Sequence, residues 1–383
     1  MPDADAARPP ADPEDHPPAG TADPRTDGPG DVYAGALDHY TSPARRDWVK
    51  RVWEEPQLIG LLDRAVRAAA RGTGGASRGP EPLRVLDVGC GTGVVLELLR
   101  RTPVLRDHGA PLLDYLGVDL DAALLAVAEQ RLGDERSRFL RGDIRAGIPG
   151  APRELYVSSG VPFSHLTRGE LREVVTEALA AGRGTGAGTV LVIDVLGRYS
   201  LEWTSRWEQT RWEYAMSFFS TDREAGATPM STYGGSELAE LIEAAARDAG
   251  RTLSRLELVD RSIVVGRHTA TGAYTPGLRD LRQLVNDLAD PHTLVDPSAL
   301  LLSDLDLPPA PEPVERFLAT FIARWEELLA AAGRAAAALP AERVAAEAQP
   351  RLAEDLLAME HEAQAGLGVG HSLTALVVAA PDG

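Results

Sequence analysis

Between residues 83 and 195, short and nearly continuous aliphatic runs alternate with segments whose apolar residues recur every three or four positions. The runs predict strands at 83–88, 113–119, 138–141, 154–158 and 189–195. The periodic segments predict helices at 94–101, 122–132 and 168–181. The last of these begins Thr167-Arg-Gly-Glu170, the pattern of a capping box. Aliphatic strands alternating with helices imply an α/β fold built on a doubly wound, mostly parallel sheet covered on both faces.

The flanks read differently. Residues 31–72 are helical in pattern, with Leu58, Leu61, Leu62, Ala65, Val66 and Ala69 on one face. GTGGASRG at 72–79 is a flexible joint, and it lacks the Gly-Lys-Ser/Thr ending of a phosphate loop. Residues 197–234 gather Tyr199, Trp203, Trp207, Trp212, Tyr214, Phe218, Phe219 and Tyr233. A helix is expected from 237 to 249 with Gly250 as its stop, then one or two strands in 252–266. Helical periodicity returns in 277–289, 312–332 and 341–363, and SLTALVVAA at 372–380 is a further strand signal. Either IVVG at 263–266 is the last strand and the helices are an appendage, or SLTALVVAA is last and they interrupt the sheet. The longer and more apolar 373–379 favours the second. The chain then divides into a cap at 31–80, a Rossmann-like domain at 81–271, a helical insertion at 272–371 and a final strand in 372–383. The inserted helices would pack near a substrate face or make the surface of a homodimer.

Composition narrows the picture. Residues 1–30 are dense in Pro, Asp, Gly and Ala and hold no aliphatic residue larger than Ala except Met1, which predicts a disordered tail. The net charge of -18 would repel a phosphate backbone, so nucleic acid is not an expected partner. Cys90 is the single cysteine, which excludes an internal disulfide and a thiolate zinc site. No stretch of about 20 apolar residues and no signal-peptide pattern is present, so a cytoplasmic protein without a membrane span is expected. HEAQAGLGVGH at 361–371 has His-Glu but not the second His four residues on, and no metal is expected.

The candidate chemistry begins at VLDVGCGTG, residues 85–93. Asp87 ends a strand, and Gly89, Gly91 and Gly93 precede a helix. This leaves bare backbone N–H groups at the carboxyl end of a parallel sheet, where such folds bind ligands. A dinucleotide fingerprint would need a sixth-position glycine counted from Gly89, and Val94 stands there. The spacing is D-x-G-x-G-x-G instead. In this motif the chain resembles the class I S-adenosylmethionine-dependent methyltransferases, and the resemblance covers about 82–265. It implies a seven-stranded Rossmann-like sheet and S-adenosylmethionine as cofactor. Gly89, Gly91 and Gly93 would then admit its methionine part, and Asp119 in YLGVDLD would hold the ribose hydroxyls. In GDI at 142–144, Asp143 would face the adenine amino group and Ile144 would pack on the ring. Asp121 is expected to cap the following helix.

The resemblance further implies methyl transfer, here to an O- or N-nucleophile of a small molecule in specialised metabolism. After the fourth strand the chain reads SSGV at 158–161, not the Asn/Asp-Pro-Pro-Tyr/Phe of amide N-methyltransferases. His165 is the histidine near that edge, a candidate base or simply the start of the next helix. Trp203 and Trp207 are candidates for the substrate pocket or a lid, with core packing the other reading. Arg261 and Arg267 would bind a carboxylate or stand as strand-edge charges. Tyr33, Tyr40, Arg45 and Arg46 would line a lid. Rivals with the same fold are a cofactor cyclase or aminocarboxypropyl transferase, and a non-catalytic cofactor-binding protein.

Overall fold

The computed structural model describes residues 46–71, 82–107, 112–150, 152–182, 188–215, 227–266 and 274–380, with Leu37 and Ser42. The tail at 1–30, the joint at 72–79, Tyr33, Tyr40, Arg45, Phe218, Phe219 and Arg267 lie outside the described residues. Nine strands form one mixed sheet: β1 (Leu83–Val88), β2 (Leu113–Asp119), β3 (Ser137–Arg141), β4 (Leu155–Ser158), β5 (Thr189–Gly197), β6 (Arg211–Ala215), β7 (Ala227–Tyr233), β8 (Leu253–Arg261) and β9 (Ser372–Ala379). Eight helices matter here: α1 (Glu55–Arg71), α2 (Val94–Leu99), α3 (Ala122–Leu132), α4 (Arg168–Ala181), α5 (Gly235–Asp248), α6 (Leu281–Ala289), α7 (Glu312–Ala336) and α8 (Gln349–Glu362).

Strands β3-β2-β1-β4-β5 run parallel in that order. β9 then lies antiparallel between β5 and β8, so seven strands make the main sheet. The two beyond the expected seven are a hairpin: β7 joins only Leu196 and Gly197 of β5, and β6 pairs antiparallel with β7. It falls in the aromatic stretch, where Trp212 and Tyr214 alternate with polar residues in strand fashion.

Asp121 accepts N–H bonds from Ala123 and Leu124 at the start of α3. Thr167 and Glu170 bond reciprocally at the start of α4. The apolar faces these helices present fill the two sides of the sheet. Leu62, Val66, Leu96 and Leu99 pack on Val85 and Val192 on one side. Leu179, Leu238 and Ile242 pack on Leu86 and Val195 on the other.

SLTALVVAA forms the last strand, and α6, α7 and α8 run between β8 and β9. IVVG does not continue β8. Ser262 turns the chain at φ 59, and the buried Glu360 of α8 takes the N–H groups of Ile263, Val264 and Val265 at 2.7, 2.7 and 3.0 Å. Those donors are therefore lost to a sheet ladder. A third core, with Trp203, Trp207, Trp212, Val285, Phe321, Trp325 and Leu356, welds the hairpin to these helices.

Candidate active site

A cavity of about 480 Å³ opens at the carboxyl ends of β1, β2, β4 and β5. Its first half is built by the glycine loop after β1. Gly89, Gly91 and Gly93 all have left-handed φ, at 69, 51 and 81°, which L-residues with a Cβ adopt at a cost. Space adds a second reason at two of them. A Cβ on Gly89 would sit 2.5 Å from Cβ of Pro162, and one on Gly93 would sit 2.6 Å from Leu132. Gly91 meets nothing within 4 Å and borders the cavity.

The loop is tied to β2. Gly89 and Cys90 donate to the Val118 carbonyl at 2.8 and 3.1 Å. Asp119 accepts from Gly91 N at 2.8 Å and Asp121 N at 2.9 Å. Burial pushes the Asp119 carboxyl up, against those backbone hydrogen bonds. A half-buried acceptor on the cavity wall, with no cation paired to it among the described residues, suits a pair of ribose hydroxyls. Asp143 and Ile144 also line the wall. Arg145 clasps both Asp143 oxygens, at 2.9 and 2.6 Å from Oδ2 and 3.0 Å from Oδ1, and so holds that carboxyl low.

Asp87 does not reach the cavity wall. It is fully buried beneath the loop, where Tyr115 Oη donates to Oδ2 at 2.5 Å and Oδ1 has no hydrogen-bond partner. Burial raises it to about 7, opposed by the Tyr115 bond and reinforced by the Asp119 charge. Gly93 likewise lies off the wall. The Cys90 thiol is pushed far up by burial and by Asp87 and Asp119, so it is no nucleophile at neutral pH.

The second half of the cavity lies against β5, β8 and β9. Asp194 sits in fully covered β5 and is 1% exposed. Three donors compensate its burial: Gly160 N at 2.8 Å, Arg261 Nη1 at 3.0 Å and Thr374 Oγ1 at 2.7 Å. His165 reaches the wall, but burial lowers it to about 4, with the Arg211 and Arg145 charges adding to the effect. At neutral pH it is uncharged and a weak base. Trp203 and Trp207 do not line the cavity. They are 1% and 4% exposed, and their Nε1 groups donate to the carbonyls of Gly197 (2.9 Å) and Ser200 (2.8 Å). Both rings lie in the third core, and Tyr214 and Met230 of the hairpin line the cavity.

Sequence reasoning missed His371. It is among the residues that line the cavity, and its Nδ1 lies 2.7 Å from Oε2 of the buried Glu202. The GLGVG loop before it is pinned by Asp260, which accepts N–H bonds from Leu367, Gly368, Val369 and Gly370 at 2.7 to 3.3 Å. The three glycines at alternate positions were the available signal. The roof is a strap from Asp47 to Glu54 tied to α6: Arg282 bonds Asp47 (2.7 and 2.9 Å) and Glu54 (3.2 Å), and Asn286 Oδ1 accepts from Val49 N at 3.0 Å.

Residues 85–186 match the family model described as a methyltransferase domain. This stretch is identified as a methyltransferase domain. It contains the whole glycine loop, Asp119, Asp143 and His165. No curated protein matches the chain. Among solved structures it is similar to an S-adenosylmethionine-dependent methyltransferase from Mesorhizobium loti, at 17% identity over 52% of this chain and 85% of that one, with a TM-score of 0.35. The amino pentose methyltransferase CalS10 from Micromonospora echinaspora shares 19% identity over 62% and 94%, with a TM-score of 0.34. The cyclopropane synthase MmaA2 from Mycobacterium tuberculosis shares 14% over 84% and 83%, with a TM-score of 0.35. No helix among the described residues is long and apolar enough to cross a membrane.

Proposed function

We propose that this methyltransferase moves the methyl group of S-adenosylmethionine to an oxygen or nitrogen nucleophile of a small molecule. One observation carries the reading: a single cavity joins the glycine loop, Asp119, Asp143 and Ile144 at one end to Asp194, Arg261, Tyr214 and His371 at the other. The cofactor supplies an electrophilic methyl group on a sulfonium. Asp119 would hold the ribose through its two oxygens. Ile144 would cover one face of the adenine, and Gly91 would leave room for the methionine part. The strap and α6 roof the cavity and exclude water, and the far end holds an acceptor of modest size close to the methyl group.

The test is product identification after incubation with S-adenosylmethionine and extracts of small metabolites. S-adenosylhomocysteine with a methylated small molecule is expected. Methylthioadenosine in its place would overturn methyl transfer in favour of a cyclase or aminocarboxypropyl transferase.

A further inference from the structure

We infer that His371 is the general base that takes the proton of the methyl acceptor, and that Glu202 is its positioning residue. The inference rests on the methyl-transfer reading and names the residue that would complete it. The acceptor class it implies carries a hydroxyl or amine whose proton must leave as the methyl arrives.

Three observations meet at His371. The first is its place. Gly197 N donates to the His371 carbonyl at 3.3 Å, which sets this residue at the carboxyl end of β5, on the edge where the cavity opens. The second is its partner. Glu202, 3% exposed in the turn after β5, meets Nδ1 at 2.7 Å. A carboxylate there accepts Nδ1–H, so the neutral ring carries its basic lone pair on Nε2. This is the tautomer a base needs. A carboxylate this deeply buried needs such a donor to offset its lost hydration.

The third observation is rigidity. His371 follows a loop whose four successive N–H groups are gathered by one buried carboxylate, Asp260. The loop is pressed against the sheet closely enough that a Cβ on Gly368 would lie 2.5 Å from the Tyr233 carbonyl. Trp203 packs edge-on against the imidazole with centroids 5.3 Å apart. The ring is therefore held from its backbone, its Nδ1 side and one edge. A base pre-set in this way loses little orientation entropy in the transition state. Burial lowers His165 to about 4, which makes it poorly basic.

The step balances without a further reactant. The acceptor O–H or N–H bond breaks and its proton passes to Nε2 of His371. The acceptor lone pair forms the new bond to the methyl carbon, and the carbon–sulfur bond breaks with its electron pair going to sulfur. Neutral S-adenosylhomocysteine leaves, and the ring returns its proton to solvent.

The test needs no knowledge of the acceptor. The full chain, with isotope-labelled histidine, is bound to S-adenosylmethionine carrying a 13C methyl group. Long-range 1H–15N spectra read the His371 tautomer, and filtered nuclear Overhauser spectra read proximity to the methyl. The expected result is Nδ1–H with an unprotonated Nε2, and a cross-peak from the labelled methyl to a His371 ring proton. Glu202→Ala should shift the ring toward the Nε2–H tautomer, whereas Glu202→Gln, whose amide oxygen still accepts, should restore Nδ1–H. An Nε2–H tautomer in the wild type, or methyl cross-peaks to other cavity side chains but none to His371, would overturn the inference. Failure of S-adenosylmethionine to bind would instead sink the methyl-transfer reading itself, so the two failures are distinguishable.

Discussion

Replacing Gly91 by Ala separates a glycine kept for its ligand from one kept for its fold. Gly91 has φ 51°, and an added Cβ meets no atom within 4 Å. The fold therefore bears only the backbone cost of a left-handed L-residue, about 1–2 kcal/mol. At roughly 2–4 °C per kcal/mol, a guide taken from smaller domains, Tm should fall by only a few degrees. The new methyl meets open space at the cavity, where the proposed function would put the methionine part of the cofactor. A clash there that costs at least about 1.4 kcal/mol weakens binding tenfold or more. Gly89→Ala is the contrast. Its φ is 69°, and its methyl would lie 2.5 Å from Pro162, so stability should fall well beyond the Gly91 value. Thermal unfolding and calorimetric titration with S-adenosylmethionine on the same preparations read both quantities. Gly91→Ala binding at wild-type affinity with only the expected drop in Tm would refute the placement of the cofactor along this loop.

Two further outcomes follow from the buried groups. Burial lifts Glu360 to about 7 from an ordinary value of 4.5, against three backbone hydrogen bonds. Between those values the folded chain keeps a proton that the unfolded chain has lost. Its contribution is thus complete below about pH 4.5 and is lost as pH rises through about 7. Urea unfolding of Glu360→Gln should show a flatter fall in stability across that window than the wild type, and an equal slope would count against the assignment. Trp203→Ala should cost about 3–5 kcal/mol in urea unfolding, as removal of a buried aromatic does. Unchanged stability with altered ligand binding would restore the lid reading of that ring.

Local features carried most of what could be read from the chain. The inner strands of the parallel sheet are aliphatic runs, and the glycine loop, Asp119 and the GDI turn stand at or directly after strand ends, so spacing locates them. Asp87 belongs to the motif yet lies beneath the loop, because the residue before the turn still obeys the strand's alternation. The aromatic stretch was harder. Enrichment in Trp shows that much surface must be covered, but not whether a cavity or a third core covers it. His371 and Glu202 are separated by 169 residues along the chain and meet only because β9 returns beside β5. No spacing rule reaches across the inserted helices. Asp260 and the GLGVG loop were likewise out of register in sequence, although glycines at 366, 368 and 370 marked a close backbone approach.

The central claim is the cofactor site, and calorimetry with S-adenosylmethionine on wild type and Asp119→Ala tests it most directly. Loss of two hydrogen bonds to a half-buried carboxylate should cost about 2–3 kcal/mol, net of partial replacement by water, which is roughly a 30- to 150-fold weaker Kd. Saturable one-site binding by the wild type, weakened to that extent in the variant, is the predicted result. No binding by the wild type, or equal affinity in both proteins, would contradict the account.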